Sequence, residues 1–161
     1  MREKQIRPDI IEASISSYEI SNMTRIYKKA MALNKVMNKQ IGDDIIKSYK
    51  RVSNILDNEL KDKDLELSNT TDPGIFKSDY EKNLFKKIKE LKKYFANINK
   101  DENFKESLII LAEAKKVIND FFDNVKVNEE DKNIKKNRLE LLQMLCRTFD
   151  NYINFSNIES K

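Results

Sequence analysis

Apolar side chains recur along most of the chain at steps of three and four, the spacing that gathers them on one side of an α-helix. Pro8-Asp9 suits a first helical turn, and Ile10, Ile11 and Ile15 give a short apolar face before Ser16-Ser17. Met23, Ile26, Ala30, Leu33 and Met37 form a longer stripe, which predicts a second helix from about Glu19 to Lys39. Gly42 is expected to break that helix. Asp43-Asp44 would complement the N-terminal dipole of a third, whose stripe is Ile45, Tyr49, Val52 and Leu56. The period fades over residues 58–77, which contain Asp72-Pro73-Gly74, so a polar loop of about twenty residues is expected there, either mobile or a contact surface. Ser78-Asp79-Tyr80-Glu81 reads as a capping box opening a fourth helix, with Leu84, Ile88, Leu91, Phe95 and Ile98 inward. A fifth, from about Asn103 to Phe122, would bury Phe104, Leu108, Leu111, Ala112, Ile118 and either Phe121 or Phe122. After a connector at 123–130, a sixth helix at roughly 131–154 turns Ile134, Leu141, Leu142, Leu145, Phe149 and Ile153 inward. Strand-like alternation is confined to the very short Val125-Lys126-Val127. The expected fold is all-α, an antiparallel helical bundle of about six helices.

Composition narrows the chemistry. A length of 161 residues fits a single domain, 1–161, able to bury roughly 70% of its unfolded surface. With 2 Gly and 2 Pro, the chain has too few turn-makers for a sandwich or barrel. No apolar run approaches a membrane span, and the basic start is not followed by a signal-peptide core. The absence of His and the single Cys exclude a zinc finger, a Ser-His-Asp triad and a Cys-His dyad. Two glycines cannot form a phosphate-cradling P-loop. Cys146, between Leu142 and Phe149, occupies a packing position with no histidine to activate it, and with no second thiol to join it fits a reducing compartment. Met23 and Met37 read as core filling. Glu129-Glu130-Asp131 suits a helix start better than acid–base work or a metal site. The chain by itself is expected to be non-catalytic, with no metal and no cofactor of its own.

Charge adds the one hint of a partner. Basic residues number 31 and acidic 27, and the order matters more than the sum of +4. Segments 22–57, 77–100 and 132–161 carry +5, +5 and +3, separated by acidic stretches. Folded together they could form a basic face for a polyanion. The plainer reading is that lysine solvates the outer sides of helices in a Lys-, Ile- and Asn-rich, AT-biased chain.

Three segments are more specific than packing requires. At and just before residues 49–56, Lys47, Lys50, Arg51 and Asn54 lie three and four apart, which sets a strip of donors beside the Tyr49–Val52–Leu56 core face. Lys and Arg can neutralise phosphates, and Asn can pair with a base edge. Tyr49 and Tyr27 are candidate stacking platforms for bases, with core packing the blander alternative. In residues 121–127 a helix stops without Gly or Pro, so Asp123-Asn124 would make the turn through left-handed backbone geometry. In residues 137–142, Arg138 would be a structural tie to Asp123 or an outward contact to RNA, the tie being preferred.

Taken in order, these segments resemble the DALR-type anticodon-binding domain at the C-terminal end of the bacterial glycyl-tRNA synthetase β subunit. That family carries Tyr-Lys-Arg-Ala-x-Asn-Ile-Leu, matched by residues 49–56 with Val52 for Ala. It carries Phe-Phe-Asp-x-Val-Met-Val, matched by 121–127 with Lys126 for Met, and Asn-Arg-Leu-x-Leu-Leu, matched by 137–142. Arg7-Pro8-Asp9-Ile10-Ile11-Glu12-Ala13 resembles the opening helix, so the likeness covers about residues 6–158. The resemblance implies a helical domain that docks the anticodon arm of tRNA(Gly), excised from a longer β subunit with several hundred residues upstream. It implies a bacterial cytoplasmic parent, a class II enzyme that uses ATP and Mg2+ to charge tRNA with glycine alongside an α subunit carrying the aminoacylation site. Under it, Lys47, Lys50, Arg51, Asn54 and Tyr49 are the expected tRNA-binding set, and Asp123, Asn124 and Arg138 the structural motif. The alternative is a non-enzymatic helical protein-interaction module, or an adaptor whose 58–77 loop holds another part of its parent.

Overall fold

The computed structural model describes residues 6–14, 23–61, 66–68, 70–97 and 103–158. Its helices are α1 (Pro8–Ser14), α2 (Met23–Val36), α3 (Gln40–Glu59), α4 (Asp79–Ala96), α5 (Phe104–Asn124) and α6 (Lys132–Tyr152), with 3-10 turns at Pro73–Ile75 and Phe155–Asn157. No strand occurs among the described residues. Ile15, Ile98 and the expected start of the second helix at Glu19 lie outside the described residues.

The four long helices form a ring in the order α3, α5, α4, α6, and α2 packs on α3 and α5, with α1 on α2 and on the C-terminal 3-10 turn. Side-chain pairs fix the directions. Asp44 meets Lys115 and Arg51 meets Asn119, so α3 and α5 are parallel. Tyr49 meets Asp150 whereas Glu59 meets Lys135, so α3 and α6 are antiparallel. Glu81 with Arg138, and Phe95 with Tyr152, make α4 and α6 parallel. Helices consecutive in sequence therefore do alternate in direction, as a bundle of this kind predicts. Because α3/α4 and α5/α6 are diagonal, however, the α3–α5 and α4–α6 seams join parallel helices.

Most stripe residues are where helical periodicity puts them. Ile45, Val52, Leu56, Leu84, Ile88, Leu91, Leu108, Leu111, Ile118, Leu141, Leu142, Leu145 and Phe149 belong to one buried cluster. Phe121 is the buried member of its pair. Cys146 is buried there too, and desolvation pushes its thiol up to about 12, as a packing cysteine requires. Met23 departs from the pattern: it is 69% exposed, at the first residue of α2, before the helix reaches its neighbours.

Gly42 is also a correction. It lies inside the first turn of α3 and breaks nothing. A Cβ on it would sit 2.1 Å from the Val36 carbonyl oxygen, so the end of α2 can approach α3 only over a bare Cα. Helix α5 likewise does not end through left-handed geometry, which no described residue adopts. It runs through Asn124, whose amide donates to the Asp120 carbonyl at 2.8 Å, and passes into extended backbone at Val125.

The described part of the 58–77 loop is docked. Thr71 Oγ1 donates to the Asn137 side chain at 2.8 Å, the Asp72 amide donates to the same oxygen, and Asn137 Nδ2 donates back to the Asp72 carbonyl at 3.0 Å. The Ser68 amide and hydroxyl both donate to the Glu140 carboxylate. A stretch that looked like a polar excursion is thus clasped to α6. The segment 62–65 lies outside the described residues.

Candidate nucleic-acid interface

The donor strip forms because α3 buries Ile45, Tyr49, Val52 and Leu56 on one side and must present the opposite side to solvent. Lys47, Arg51 and Asn54 are exposed and Lys50 is half-buried. Arg51 is the best organised. Its guanidinium lies 4.5 Å from the Phe122 ring centroid, and Nη1 donates to Asn119 Oδ1 at 3.2 Å. A cation held over an aromatic face loses less rotamer freedom on meeting a phosphate. Neither Lys50 nor Arg51 is ion-paired to a carboxylate among the described residues. The strip's neighbour on α5, Lys115, is partly used up: it binds Asp44 at 2.8 Å, and that hydrogen bond holds the Asp44 carboxyl below its usual range.

Tyr49 does not belong with these donors. Its ring is buried between Phe149 and Phe155, with centroids 6.2 and 5.6 Å away, and its hydroxyl donates to Asp150 Oδ2 at 3.1 Å. Desolvation, then the Asp150 charge, raises the phenol's pKa, and burial raises that of Asp150. The ring is core and offers no open face for stacking. Tyr27, the second candidate, is 60% exposed on α2.

Arg138 is structural, but Asp123 is not its partner. Asp123 is exposed. Arg138 Nη2 donates to Glu81 Oε1 at 3.1 Å, Nη1 donates to the Lys126 carbonyl at 2.6 Å, and Glu129 Oε2 lies 3.5 Å away. Both ends of the main pair are shielded, the Arg138 and Glu81 side chains being 9% and 1% exposed. Glu81 in turn accepts from the Lys77 amide and the Ser78 hydroxyl, while Ser78 Oγ accepts from the Glu81 amide, so the expected capping box is also an anchor for α6. Asn137 and Arg138 together pin the 71–72 loop, the start of α4 and the 126–129 connector to one turn of α6. Asp131 caps that helix by accepting from the Asn133 and Ile134 amides.

Charge on the outer face is denser than the α3 motif alone suggested. Helix α4 exposes Lys82, Lys86, Lys89, Lys92 and Lys93. Between α4 and α5 lies a groove of about 330 Å³ lined by Tyr80, Asn83, Lys86 and Lys87 from one side and Lys116 and Asp120 from the other. Sequence reasoning missed it because no single helix contains it. The signal present was the +5 of residues 77–100.

Residues 45–160 match the DALR anticodon binding domain family. The chain belongs to that family. Over 158 residues it is 34% identical to the glycine–tRNA ligase beta subunit of Sulfurihydrogenibium sp. and 31% identical to that of Persephonella marina, covering 98% of this chain in each case. The beta subunit from Rickettsia prowazekii is 34% identical over 127 residues, or 79% of the chain. This DALR domain spans about a fifth of the length of the curated relatives it matches, 22%, 21% and 18% respectively. No described helix is long and apolar enough to cross a membrane, and no described group of carboxylates and thiol is placed to hold a metal ion.

Proposed function

We propose that this DALR domain binds the anticodon arm of tRNA(Gly) and so positions the tRNA for ATP-dependent charging with glycine by an enzyme of α and β subunits. The observation that carries the reading is the coincidence of the family match with a strip of exposed Lys47, Arg51 and Asn54 and half-buried Lys50, in which neither Lys50 nor Arg51 is ion-paired to a carboxylate among the described residues and Lys47 has only the nearby charge of Asp44. Lys47, Lys50 and Arg51 meet phosphates and supply most of the affinity, which is therefore steeply salt-dependent. Arg51, already held over Phe122, is the orienting member. Asn54, exposed one turn further along, reads a base edge, and Tyr27 offers a stacking face. Tyr49 holds the strip from beneath, while Asn137 and Arg138 fix the bundle that carries it. Bond-making, with its ATP and Mg2+, belongs to the α subunit of a cytoplasmic class II parent, and this domain is non-catalytic.

A filter-binding titration of the chain with tRNA(Gly) and with a tRNA of different anticodon, each at two salt concentrations, tests this. Tighter binding to tRNA(Gly), weakened by salt and by the Lys50→Ala/Arg51→Ala double variant, is expected. Equal, variant-insensitive binding of both tRNAs contradicts it.

A further inference from the structure

The groove between α4 and α5 combines three chemistries. Lys86 and Lys116 face it from opposite walls and are exposed. Tyr80, at the start of α4, leaves its ring accessible at one end. Asn83 and the half-buried Asp120 set acceptor oxygens between them, and Asp120 is in no ion pair among the described residues. Lys87 is discounted, since Glu90 lies 3.9 Å from its ammonium one turn on.

A ligand that is anionic throughout would meet the lysines but be repelled by Asp120 and Glu90. An acidic peptide fits the groove poorly for that reason. A nucleotide fits both demands, with phosphates for the lysines and, on its base, an amino group for the acceptors. Its volume of about 330 Å³ is at the small end of ligand sites, room for one base with its ribose. The groove adjoins the α3 strip through α5, which packs on both α3 and α4. Asn119, which holds Arg51, is one turn from Lys116 on α5, so a strand crossing α3, α5 and α4 passes from one to the other.

We propose that this groove seats one unstacked, amino-bearing base of single-stranded RNA. Tyr80 stacks on the base, Asn83 and Asp120 accept from its amino edge, and Lys86 and Lys116 hold the flanking phosphates. Uracil, which has no amino group, is disfavoured: its one edge donor, N3–H, is flanked by two carbonyl oxygens that the Asp120 carboxylate repels. The assignment rests on the domain being an RNA binder, and names where one base is read.

Fluorescence anisotropy of the chain with labelled cytidine, adenosine and uridine hexamers, and with tRNA(Gly), tests it. Cytidine and adenosine hexamers are expected to bind at least fivefold more tightly than uridine. Asp120→Ala abolishes that preference, and Tyr80→Ala weakens the preferred hexamers at least fivefold while Tyr80→Phe does not. Lys86→Ala/Lys116→Ala lowers affinity for all three and makes the salt slope shallower by roughly 1.4. Circular dichroism confirms that each variant keeps its helices. If tRNA(Gly) binds but Tyr80→Ala and Asp120→Ala change neither affinity nor base preference, the groove assignment is wrong and the anticodon reading stands. If the folded chain binds no RNA, both fall.

Discussion

Replacing Arg138 by Ala tests whether the Asn-Arg motif of α6 is a clasp or a ligand contact. The substitution leaves the Glu81 carboxylate, 1% exposed, without its cation, and strips the Lys126 carbonyl and Glu129 of their donor. Breaking a buried pair from one side costs about 3–5 kcal/mol, because the surviving charge is left desolvated. For a domain of this size that lowers the midpoint of thermal unfolding by roughly 6–20 °C. The pair itself is imperfect: Glu81 Oε2 and Arg138 Nε are buried with no partner. Replacing both partners together, Arg138→Met with Glu81→Gln, therefore recovers much of the loss, since the double variant removes both charges. Urea unfolding of the two variants gives the stability difference, and tRNA binding under native conditions gives the function. A loss below about 1 kcal/mol for Arg138→Ala, or a loss of tRNA affinity with stability intact, would refute the clasp.

Gly42→Ala should destabilise by at least about 2 kcal/mol in the same assay, because its Cβ meets the Val36 carbonyl rather than a side chain that can swing away. Tyr49→Phe removes the hydroxyl that donates to half-buried Asp150 and should cost about 1–2 kcal/mol of stability while leaving tRNA affinity unchanged; reduced affinity in the folded variant would return Tyr49 to the contact set. Asp150 predicts a pH dependence of definite sign. Its folded-state pKa is raised by burial, so between the unfolded value and that raised value the native state holds more protons, and stability falls as pH rises. Asp150→Asn, which keeps an acceptor for Tyr49 without the charge, should thus gain stability relative to wild type at neutral pH. That advantage should shrink as the pH is lowered through the carboxylate range, and an advantage that grows on acidification would contradict the assignment.

How legible this was from the sequence depends on how local each determinant is. Helix count, most stripe residues and the Ser78–Glu81 cap are set within a turn or two of chain, and they came out as periodicity dictates, with Ile11 and Met23, both exposed, the exceptions. Ring order and the two parallel seams were not legible, because they depend on which helices end up diagonal, a matter of contacts between helices far apart in sequence. Gly42 illustrates the same limit. A glycine between two stripes looks like a break, and only the neighbouring helix reveals that it serves close approach. At the site, helical spacing correctly set Lys47, Arg51 and Asn54 outward. Tyr49, on the stripe, was the weaker member, and its fate was decided by Phe149 and Phe155 about a hundred residues later. Arg138 was legible as a tie, whereas its partner was not: Asp123, nearer in sequence than Glu81, faces solvent, and Glu81 reaches it from another helix. The α4–α5 groove needs two walls and is visible in neither alone.

Nucleotide-resolution footprinting of tRNA(Gly) bound to the chain bears most directly on the role assigned to the outer face of α3, α5 and α4. Protection confined to the anticodon arm, lost together in the Lys50→Ala/Arg51→Ala variant, is the predicted result. Protection of the acceptor stem instead, or a footprint that the variant leaves unchanged, would contradict it.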